Sequence, residues 1–235
     1  MKLGNGKMNC FIPCRKTGDK INKLNFLELE GKKLVEYSIL VAQQSNLFKK
    51  IFIISDDKTA AMELVEKYPE INFIFEKKTN KTFYKMLIDL NNKKNILTDT
   101  ICVLLPNFPF KTPKSIKKMY SIYLKKDLSL ITSAHKQNKF IYKKKKNIIT
   151  EINYSEKIKD KNKIPPLFYL SGGIFFYNKK NSNLDFKKFN LDQLYFLNEH
   201  EAFGIYSLYD FIKASSLFNI DSSIINKLIG YEVKI

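Results

Sequence analysis

Four basic side chains follow a short apolar segment near the N-terminus. In the stretch PCRKTGDKINKLN they are Arg15, Lys16, Lys20 and Lys23, and Gly18 gives the same stretch backbone freedom. Guanidinium, ammonium and exposed amide groups are the groups with which proteins hold phosphate oxygens. The stretch therefore predicts a loop that wraps a triphosphate, although a loop of simply solvated lysines would have the same composition.

The elements that must position this loop alternate between apolar and amphipathic segments in the first half of the chain. Strands are predicted at 8–14, 51–54, 72–75, 101–105 and 128–134, and helices at 33–46, 57–67, 80–92 and 113–124. Thr112 followed by Pro113 predicts the start of the last of these helices. The alternation predicts an α/β fold with a mostly parallel sheet that is covered on both faces.

The pattern changes after residue 135, where strand-like segments follow one another without helices between them. They are 139–142, 147–153 and 168–177, and a last helix is predicted at 207–217. We therefore expect a single domain, 1–235, with a small antiparallel excursion at 136–168. In such a sheet ligands bind at the carboxyl edge, so the loops 13–25, 55–57 and 106–112 are predicted to meet at one site.

The net charge of +18 raises the alternative of a nucleic-acid binder. The lysines are spread along the whole chain, however, and the densest run, Lys143–Lys146, lies in a predicted hairpin. This distribution favours solvated lysines over a nucleic-acid interface. A basic surface can still attract an anionic substrate by electrostatic steering.

Cysteine usage and hydropathy restrict the class of protein further. The three cysteines, Cys10, Cys14 and Cys102, lie in apolar segments without metal-ligand spacing, which predicts free thiols in the core. The apolar stretches are strand-sized, far shorter than the roughly 20 residues of a membrane-spanning helix. The first residues lack the apolar run of a signal peptide, so we expect a cytoplasmic protein.

The segment 12–39 resembles the N-terminal signature of the acylneuraminate cytidylyltransferases, which activate sialic-acid-like sugars. The residues in register are Ile12, Pro13, Arg15, Asn25, Gly31, Lys32, Leu34, Tyr37 and Ile39. Later blocks keep the family's order, and they are Ser55-Asp56-Asp57, LLPNFPFKT (104–112), Asn153-Tyr154, PPLFYLSGGIFF (165–176) and the YDF at 209–211. The chain is therefore identified as a divergent member of this family, whose sheet is Rossmann-like and of the nucleotide-diphospho-sugar transferase type.

The resemblance implies an enzyme that transfers CMP from CTP to an acidic, sialic-acid-like sugar with release of pyrophosphate. It also implies Mg²⁺ as the cofactor, which would neutralise charge on the phosphates. The sugar nucleotide would serve glycan biosynthesis, and the 136–168 excursion is similar to the family's dimerisation region. We therefore expect a homodimer whose partners are CTP and the sugar.

The resemblance also implies roles for individual residues. Arg15 and Lys20 are the expected catalytic residues, because they would hold the triphosphate and stabilise the leaving pyrophosphate. The expected nucleotide-binding residues are Pro13, Arg15, Lys16, Gly18, Lys20, Asn25, Asp56 and Asn107. The expected sugar-binding residues are Lys111, Ser171, Gly172 and Gly173.

The chain departs from the family where the metal should bind. The family's C-terminal Asp-Ile-Asp triplet, whose carboxylates coordinate magnesium, is in register with Gly204-Ile205-Tyr206, and the glutamine of the 104–112 loop is Leu105. Replacement ligands could come from Glu199, Glu201, Asp210, Asp56 or Asp57. Mg²⁺ prefers carboxylate and phosphate oxygens, so the loss of both carboxylates leaves the metal ligands unknown. The alternative function is that of a catalytically inactive relative that binds a nucleotide or a sugar, or acts as a partner subunit. A nucleotidyltransferase with another base or sugar is also open.

Two further groups of residues have structural interpretations. His135 and His200 are the only histidines, and a surface or capping role is favoured over catalysis for His135. The aromatic residues Tyr206, Tyr209, Phe211 and Phe218 have roughly helical spacing, which predicts that they pack in the core.

Overall fold

The computed structural model describes residues 8–16, 21, 23–77, 98–137, 142–145, 148–151, 167–178 and 190–219. The strands in these ranges are β1 (Met8–Pro13), β2 (Glu28–Leu29), β3 (Lys32–Lys33), β4 (Phe48–Ser55), β5 (Ile71–Phe75), β6 (Thr100–Leu104), β7 (Leu130–Gln137), β8 (Tyr142–Lys145), β9 (Ile148–Glu151), β10 (Leu167–Asn178) and β11 (Leu194–Phe196). The helices are α1 (Leu34–Ser45), α2 (Lys58–Lys67), α3 (Pro113–Lys125) and α4 (Leu208–Phe218), with 3-10 turns at Leu24–Phe26 and Leu191–Gln193.

Seven of the strands form one sheet in the order β5-β4-β1-β6-β10-β7-β11. Strand β1 pairs in parallel with β4 and with β6, β4 pairs in parallel with β5, and β7 pairs in parallel with β11. Strand β10 is antiparallel to both of its neighbours, β6 and β7. All the strands of this sheet except β10 therefore point the same way, which confirms the mostly parallel sheet predicted from the sequence.

The antiparallel part of the prediction is confirmed where the structure describes it. Strands β8 and β9 form a separate antiparallel pair inside the 136–168 excursion, with Lys145 opposite Ile148. The predicted helix at 80–92 and the blocks at Asn153-Tyr154 and Pro165-Pro166 lie outside the described residues. The sequence analysis missed the short strand β11 and the β2–β3 hairpin, because segments of two or three residues carry no measurable period.

Alternate residues of the central strands pack on opposite faces of the sheet. Cys10 and Ile12 of β1 belong to a buried cluster that includes Val35, Ile39 and Ala42 of α1 and Ile116 and Met119 of α3. Phe11, between them, belongs to a second buried cluster on the other face and stacks on Phe52 with ring centroids 5.2 Å apart. Burial on both faces explains why these strands have continuous apolar sequences. Cys10, Cys14 and Cys102 are free and buried, which confirms their prediction.

Three of the described helices, α2, α3 and α4, begin where a side chain caps a backbone amide of the first turn. Thr112 accepts a hydrogen bond from Ser115 N at 3.1 Å and Pro113 is the first residue of α3, which confirms the predicted start. Asp57 caps α2 by accepting from Ala60 N at 3.2 Å, and Ser207 caps α4. Within the described ranges, no helix has both the length and the apolar content needed to cross a membrane.

Of the four C-terminal aromatic residues predicted to pack in the core, two do so and two do not. Phe211 and Phe218 pack against a third buried cluster, which is formed by Leu29, Leu34, Phe110, Ile205 and Ala214. Tyr206 and Tyr209 are instead 53 % and 65 % exposed. Tyr206 precedes the first residue of α4 and so does not follow the helical period, and Tyr209 lies on the outer side of the helix, with the Lys213 ammonium 4.5 Å from its ring centroid.

Glu36 is a buried carboxylate that joins the two ends of neighbouring helices. Its oxygens accept hydrogen bonds from Lys33 N and the Tyr68 hydroxyl, each at 2.7 Å, and lie 2.6 Å from Lys67 Nζ. Burial raises the pKa of Glu36, but these hydrogen bonds outweigh it, so the pKa is lowered overall. The charged form of Glu36 therefore stabilises the contact between the start of α1 and the end of α2.

We expect Glu36→Gln to lower the free energy of unfolding at pH 7 by about 1–3 kcal/mol, because it weakens charge-assisted hydrogen bonds in a buried place. The folded-state pKa is depressed, so this contribution is complete above the unfolded-state pKa of about 4.3 and is lost as the pH falls through the folded value. Urea unfolding at pH 7 and in acid measures the difference between variant and parent, which should shrink in acid.

The matched control is Glu63→Gln, which removes an exposed carboxylate that lies 2.6 Å from Lys33 Nζ. Exposed ion pairs contribute little, so this variant should stay within about 0.5 kcal/mol of the parent. If both variants lost the same free energy of unfolding, the buried Glu36 would contribute no more to stability than an exposed carboxylate.

Candidate functional site

The carboxyl ends of β1 and β6 form the crevice at which the chain changes direction across the sheet. From β1 the chain passes through α1 to β4 on one side, and from β6 it passes through α3 to β7 on the other side. Ligands of open α/β sheets bind at such a switch point, outside the carboxyl ends of the strands. The loops after Pro13 and Leu104 follow these two paired strands and so border this switch point; that they form one ligand site stays a prediction.

The loop after β1 is held at both ends by hydrogen bonds. Lys16 N donates to Asp56 Oδ1 at 2.6 Å, and Lys23 N donates to Lys16 O at 2.7 Å. Arg15 is half-buried beside this closure, and Lys16 is exposed. The carboxylate of Asp56 thus orients the start of the basic loop, and a contact of Asp56 with a nucleotide stays a prediction. The predicted residues Gly18 and Lys20 lie outside the described residues.

The end of this loop turns back through left-handed backbone. Lys23 has φ +54°, and the 3-10 turn Leu24–Phe26 follows it directly. This turn makes Asn25 half-buried, while Leu24 packs against the third buried cluster. Pro13 is half-buried at the end of β1, opposite Ile54 of β4. The nucleotide contacts predicted for Pro13 and Asn25 stay predictions.

Lys111 is buried beneath the loop after β6, and it holds that loop together. Its Nζ donates to Leu105 O at 2.7 Å and also to Phe108 O, and the side chain is only 6 % exposed. Burial lowers the pKa of Lys111 to about 7, against the opposing effect of Cys10 and Cys102. The amine is therefore already bonded inside the protein, and the predicted sugar contact of Lys111 is untested.

The three residues predicted to lie under the sugar form a bulge in β10. The pairing of β10 with β7 shifts register between Leu170 and Phe175, and Gly172 has φ +62°. Ser133 of β7 fills the resulting gap: its Oγ accepts from Ile174 N at 3.0 Å and from Ser171 Oγ at 2.8 Å. The sequence analysis missed Ser133, although a polar residue inside an apolar strand was a usable signal.

Phe108 is the residue that comes closest to this bulge. A Cβ on Gly173 would lie 2.9 Å from Phe108 Cγ, and Phe108 is only 2 % exposed. Leu105 N donates to Gly173 O at 3.0 Å, so backbone as well as side chain join the loop to β10. The small residue at position 173 therefore makes room for the Phe108 ring. The sugar contacts predicted for Ser171, Gly172 and Gly173 stay predictions.

Asn107 joins the same loop to the C-terminal segment. Ile205 N donates to Asn107 O at 2.8 Å, and Asn107 Nδ2 lies 3.4 Å from Ile205 O. This pairing places Gly204 and Tyr206 beside the crevice, which is the position predicted for the triplet. The nucleotide contact predicted for Asn107 stays a prediction, since part of its amide is used by Ile205.

Positions 204 and 206 do not fit a pair of metal-binding carboxylates. A Cβ on Gly204 would lie 2.7 Å from both Phe108 Cε1 and Tyr206 Cε2, so any side chain there would displace an aromatic ring. In the described part of the chain, no three Asp, Glu, His or Cys side chains converge on a cluster that could hold a metal ion. The expectation of Mg²⁺ itself is untested.

Most of the predicted replacement ligands already accept hydrogen bonds within the protein. Glu201 is buried and accepts from the Thr112 and Ser115 hydroxyls at 2.5 and 2.8 Å. Asp210 accepts from Tyr206 N at 3.0 Å and from Ser207 Oγ at 2.8 Å. Asp57 caps α2 and Asp56 holds the basic loop, as described above, while Glu199 is exposed.

His200 packs against Phe110, a member of the third buried cluster. Its ring lies 4.1 Å from that of Phe110, and its Nε2 is buried without a hydrogen-bond partner among the described residues. Burial lowers the pKa of His200, against the opposing effect of Glu201. Burial therefore disfavours the charged form of this imidazole. His135 is half-buried within β7.

The sheet order, the switch-point crevice and the two loops define a fold of the nucleotide-sugar transferase type. The solved structure of CMP:2-keto-3-deoxy-manno-octonic acid synthetase complexed with CTP matches with a TM-score of 0.65 over 89 % of this chain and 97 % of that one, at 13 % identity. The 4-diphosphocytidyl-2C-methyl-D-erythritol synthase from Anaerococcus prevotii DSM 20548 matches with a TM-score of 0.61 over 92 % and 98 %, also at 13 % identity. At this identity the likeness shows the fold, and it confirms the predicted fold class.

The sequence profile of the cytidylyltransferases matches residues 10–217, and this chain belongs to that family. Pseudaminic acid cytidylyltransferase from Campylobacter jejuni subsp. jejuni serotype O:23/36 (strain 81-176) is 25 % identical over 132 residues, which are 53 % of this chain and 56 % of that protein. Bifunctional protein GlmU from Buchnera aphidicola subsp. Acyrthosiphon pisum (strain Tuc7) is 30 % identical over 164 residues, 68 % of this chain and 34 % of that protein. The chain thus spans about half of the first relative and a third of the second. The family resemblance inferred from the sequence is confirmed.

Lys111→Met tests the buried amine. The parent's folded-state pKa of about 7 lies below the unfolded-state value of about 10.4, so the unfolded state binds more protons between these values and the parent's stability rises with pH there. The variant lacks this titration. Urea unfolding should show that its free energy of unfolding, relative to the parent's, falls by roughly 1–2 kcal/mol between pH 7 and pH 9.

The control for that variant is Lys114→Met, which removes an exposed amine from the first turn of α3. Its stability difference from the parent should stay constant over the same pH range. Parallel pH profiles for Lys111→Met and the parent would contradict the buried titration.

Gly173→Ala tests the packing of Phe108. The added methyl group would lie 2.9 Å from Phe108 Cγ, so we expect a loss of about 1–3 kcal/mol in the free energy of unfolding. Phe108→Leu in the same chain removes the ring that the methyl group meets, and the double variant should lose less than the sum of the single losses. Additive losses in chemical unfolding would show that the two positions do not compete for space.

Proposed function

We propose that this chain transfers CMP from CTP to an acidic, sialic-acid-like sugar and releases pyrophosphate. The observation that carries the proposal is the basic loop after β1, which is closed by Asp56 and Lys23 at the switch point of a cytidylyltransferase fold. A triphosphate in this crevice would meet the Arg15 guanidinium, the Lys16 ammonium and the loop's backbone amides, which are the groups that bind phosphate oxygens best. Lys20 is proposed to join them.

The chemical step is a displacement at the α-phosphorus of CTP. An oxygen of a sugar hydroxyl attacks the α-phosphorus, the bond from this phosphorus to the α–β bridging oxygen breaks, and pyrophosphate leaves with the electron pair. The hydroxyl proton passes to solvent. Arg15 is proposed to stabilise the charge that grows on the departing pyrophosphate, because such charge is greatest in the transition state. No step is assigned to a metal, since positions 204 and 206 do not fit one.

The sugar is proposed to lie on the β10 side of the crevice. The loop after β6 and the Ser171–Gly173 bulge border that side, and Asn107 lies at its edge, beside the bond to Ile205. An acidic acceptor agrees with the net charge of +18, which would attract an anion. It also agrees with the substrate in the name of the Campylobacter relative. We also propose that the protein is a homodimer and acts in the cytoplasm.

A pyrophosphate-release assay tests the activity. Purified protein is given CTP with a panel of eight- and nine-carbon sugar acids, and ATP, GTP and UTP replace CTP in the controls. Pyrophosphate that appears only with CTP and one class of sugar acid supports the proposal. Release with another nucleotide, or with neutral sugars only, would overturn the proposed substrates.

Arg15→Ala is expected to weaken CTP binding by at least about tenfold, because it removes a charged group that donates to phosphate oxygens. Isothermal calorimetry measures the dissociation constant. Lys118→Ala is the matched control, since it removes one positive charge from an exposed position on α3 and should leave CTP binding within about twofold of the parent. If both variants weakened CTP binding equally, Arg15 would contribute to binding only through the net charge of the protein.

A second candidate is a catalytically inactive relative that binds a nucleotide or sugar, or acts as a partner subunit. The observation that favours it is the absence of carboxylates at Gly204 and Tyr206. CTP binding in calorimetry without pyrophosphate release for any sugar acid would support this candidate over the enzyme.

A further inference from the structure

The 199–210 segment borders the crevice at the positions where the resemblance implies metal ligands. Its acidic side chains are Glu199, Glu201 and Asp210. Asn107 fixes the middle of the segment through its backbone bond with Ile205, at 2.8 Å. The segment is therefore held against the loop after β6, and the chemistry of its side chains decides what it can bind.

Phe108 excludes a side chain from position 204. Its ring carbons Cε1 and Cζ would lie 2.7 and 2.9 Å from a Cβ on Gly204, and the same ring packs against Gly173 on its other side. Carbon atoms do not approach so closely without moving one partner. Because the ring is buried between two glycines, the space of the first expected carboxylate is filled by an aromatic residue.

Tyr206 occupies the position of the second expected carboxylate. Its ring meets Phe108 edge-on, with centroids 6.0 Å apart and an interplanar angle of 85°, which is a favourable arrangement for two aromatic rings. The tyrosine is 53 % exposed and Phe108 only 2 %, so Tyr206 presents an aromatic surface here and the buried Phe108 ring packs behind it. Such a surface offers no anionic oxygen to a hard cation.

The remaining carboxylates of the segment do not replace the missing pair. Glu201 accepts hydrogen bonds from Thr112 and Ser115 at the buried start of α3. Asp210 accepts from Tyr206 N and Ser207 Oγ at the start of α4. Glu199 is exposed and is separated from Gly204 by a turn that contains the buried Glu201.

We infer that the 199–210 segment does not ligate a divalent cation, and that Tyr206, which packs on the buried Phe108 ring, instead gives this side of the crevice an aromatic surface. The inference rests on the proposed function only in taking CTP as the nucleotide. It implies that any metal dependence of CTP binding arises away from this segment, at the nucleotide phosphates.

Two measurements on the full chain test the inference. The first follows free Mn²⁺ by electron paramagnetic resonance while protein without nucleotide is titrated, and we expect Glu199→Gln and Asp210→Asn to remove as much or as little Mn²⁺ from solution as the parent does. The second measures the dissociation constant of CTP by calorimetry in EDTA and in Mg²⁺, with the parent, Glu199→Gln and Asp210→Asn. We expect any difference between the two conditions to be the same in all three proteins.

The outcomes separate this inference from the proposed function. Mn²⁺ binding that Glu199→Gln or Asp210→Asn removes would overturn the inference, as would a Mg²⁺ effect on CTP affinity that falls more than about tenfold in either variant. A Mg²⁺ effect that persists unchanged in both variants supports it. If CTP does not bind at all, the proposed function fails, and the Mn²⁺ titration without nucleotide still decides whether the segment holds a cation.

Discussion

The packing of Phe108 between two glycines is the constraint on which the geometry of the crevice depends. Gly173 on β10 and Gly204 in the C-terminal segment both lack the Cβ that would collide with this ring. The ring therefore fixes the loop after β6 against two parts of the chain at once. Beneath the same loop, the Lys111 amine bonds to the Phe108 and Leu105 carbonyls. Buried backbone carbonyls need such partners, so a lysine without solvent becomes part of the structure of the site.

Polar side chains around the crevice are used largely to hold its loops. Asp56 bonds the backbone of the basic loop, Glu201 bonds the hydroxyls at the start of α3, and Ser133 fills the bulge of β10. Glu201 and Ser133 satisfy groups that would otherwise be buried without partners at a cost in free energy, while Asp56 orients an exposed stretch of backbone. These carboxylates and hydroxyls, which could otherwise take part in catalysis, therefore form hydrogen bonds that fix the backbone of the loops. The exposed positive groups that remain, on the loop after β1, are those that an anionic ligand can reach.

The chain keeps the sheet of the cytidylyltransferases and a basic loop after β1, while the side of the crevice next to β10 differs in chemistry from what the resemblance implies. An aromatic pair, Phe108 and Tyr206, stands where the family resemblance implies carboxylates. Aromatic rings contribute packing and a shaped apolar surface, whereas carboxylates contribute charge. The replacements at positions 204 and 206 depend on each other, because the residue at position 204 must be glycine for the Phe108 and Tyr206 rings to fit. Sequence departures at several positions thus follow from one packing arrangement.

The sequence by itself determined the parallel sheet, the caps of α3, the family and the loops that follow the carboxyl ends of the central strands. These follow from local information: apolar period, capping residues, and the rule that parallel strands end at one edge. Sequence analysis could not place Lys111 beneath its loop, turn Glu201 towards α3, or show that Phe108 needs Gly173 and Gly204. The contacts of Glu201 and Phe108 join residues far apart in the chain, 89 positions for Thr112 and Glu201, whereas Lys111 bonds to carbonyls only three and six positions away. Only the tertiary structure decided them, because the direction of a side chain depends on the space that the other elements leave.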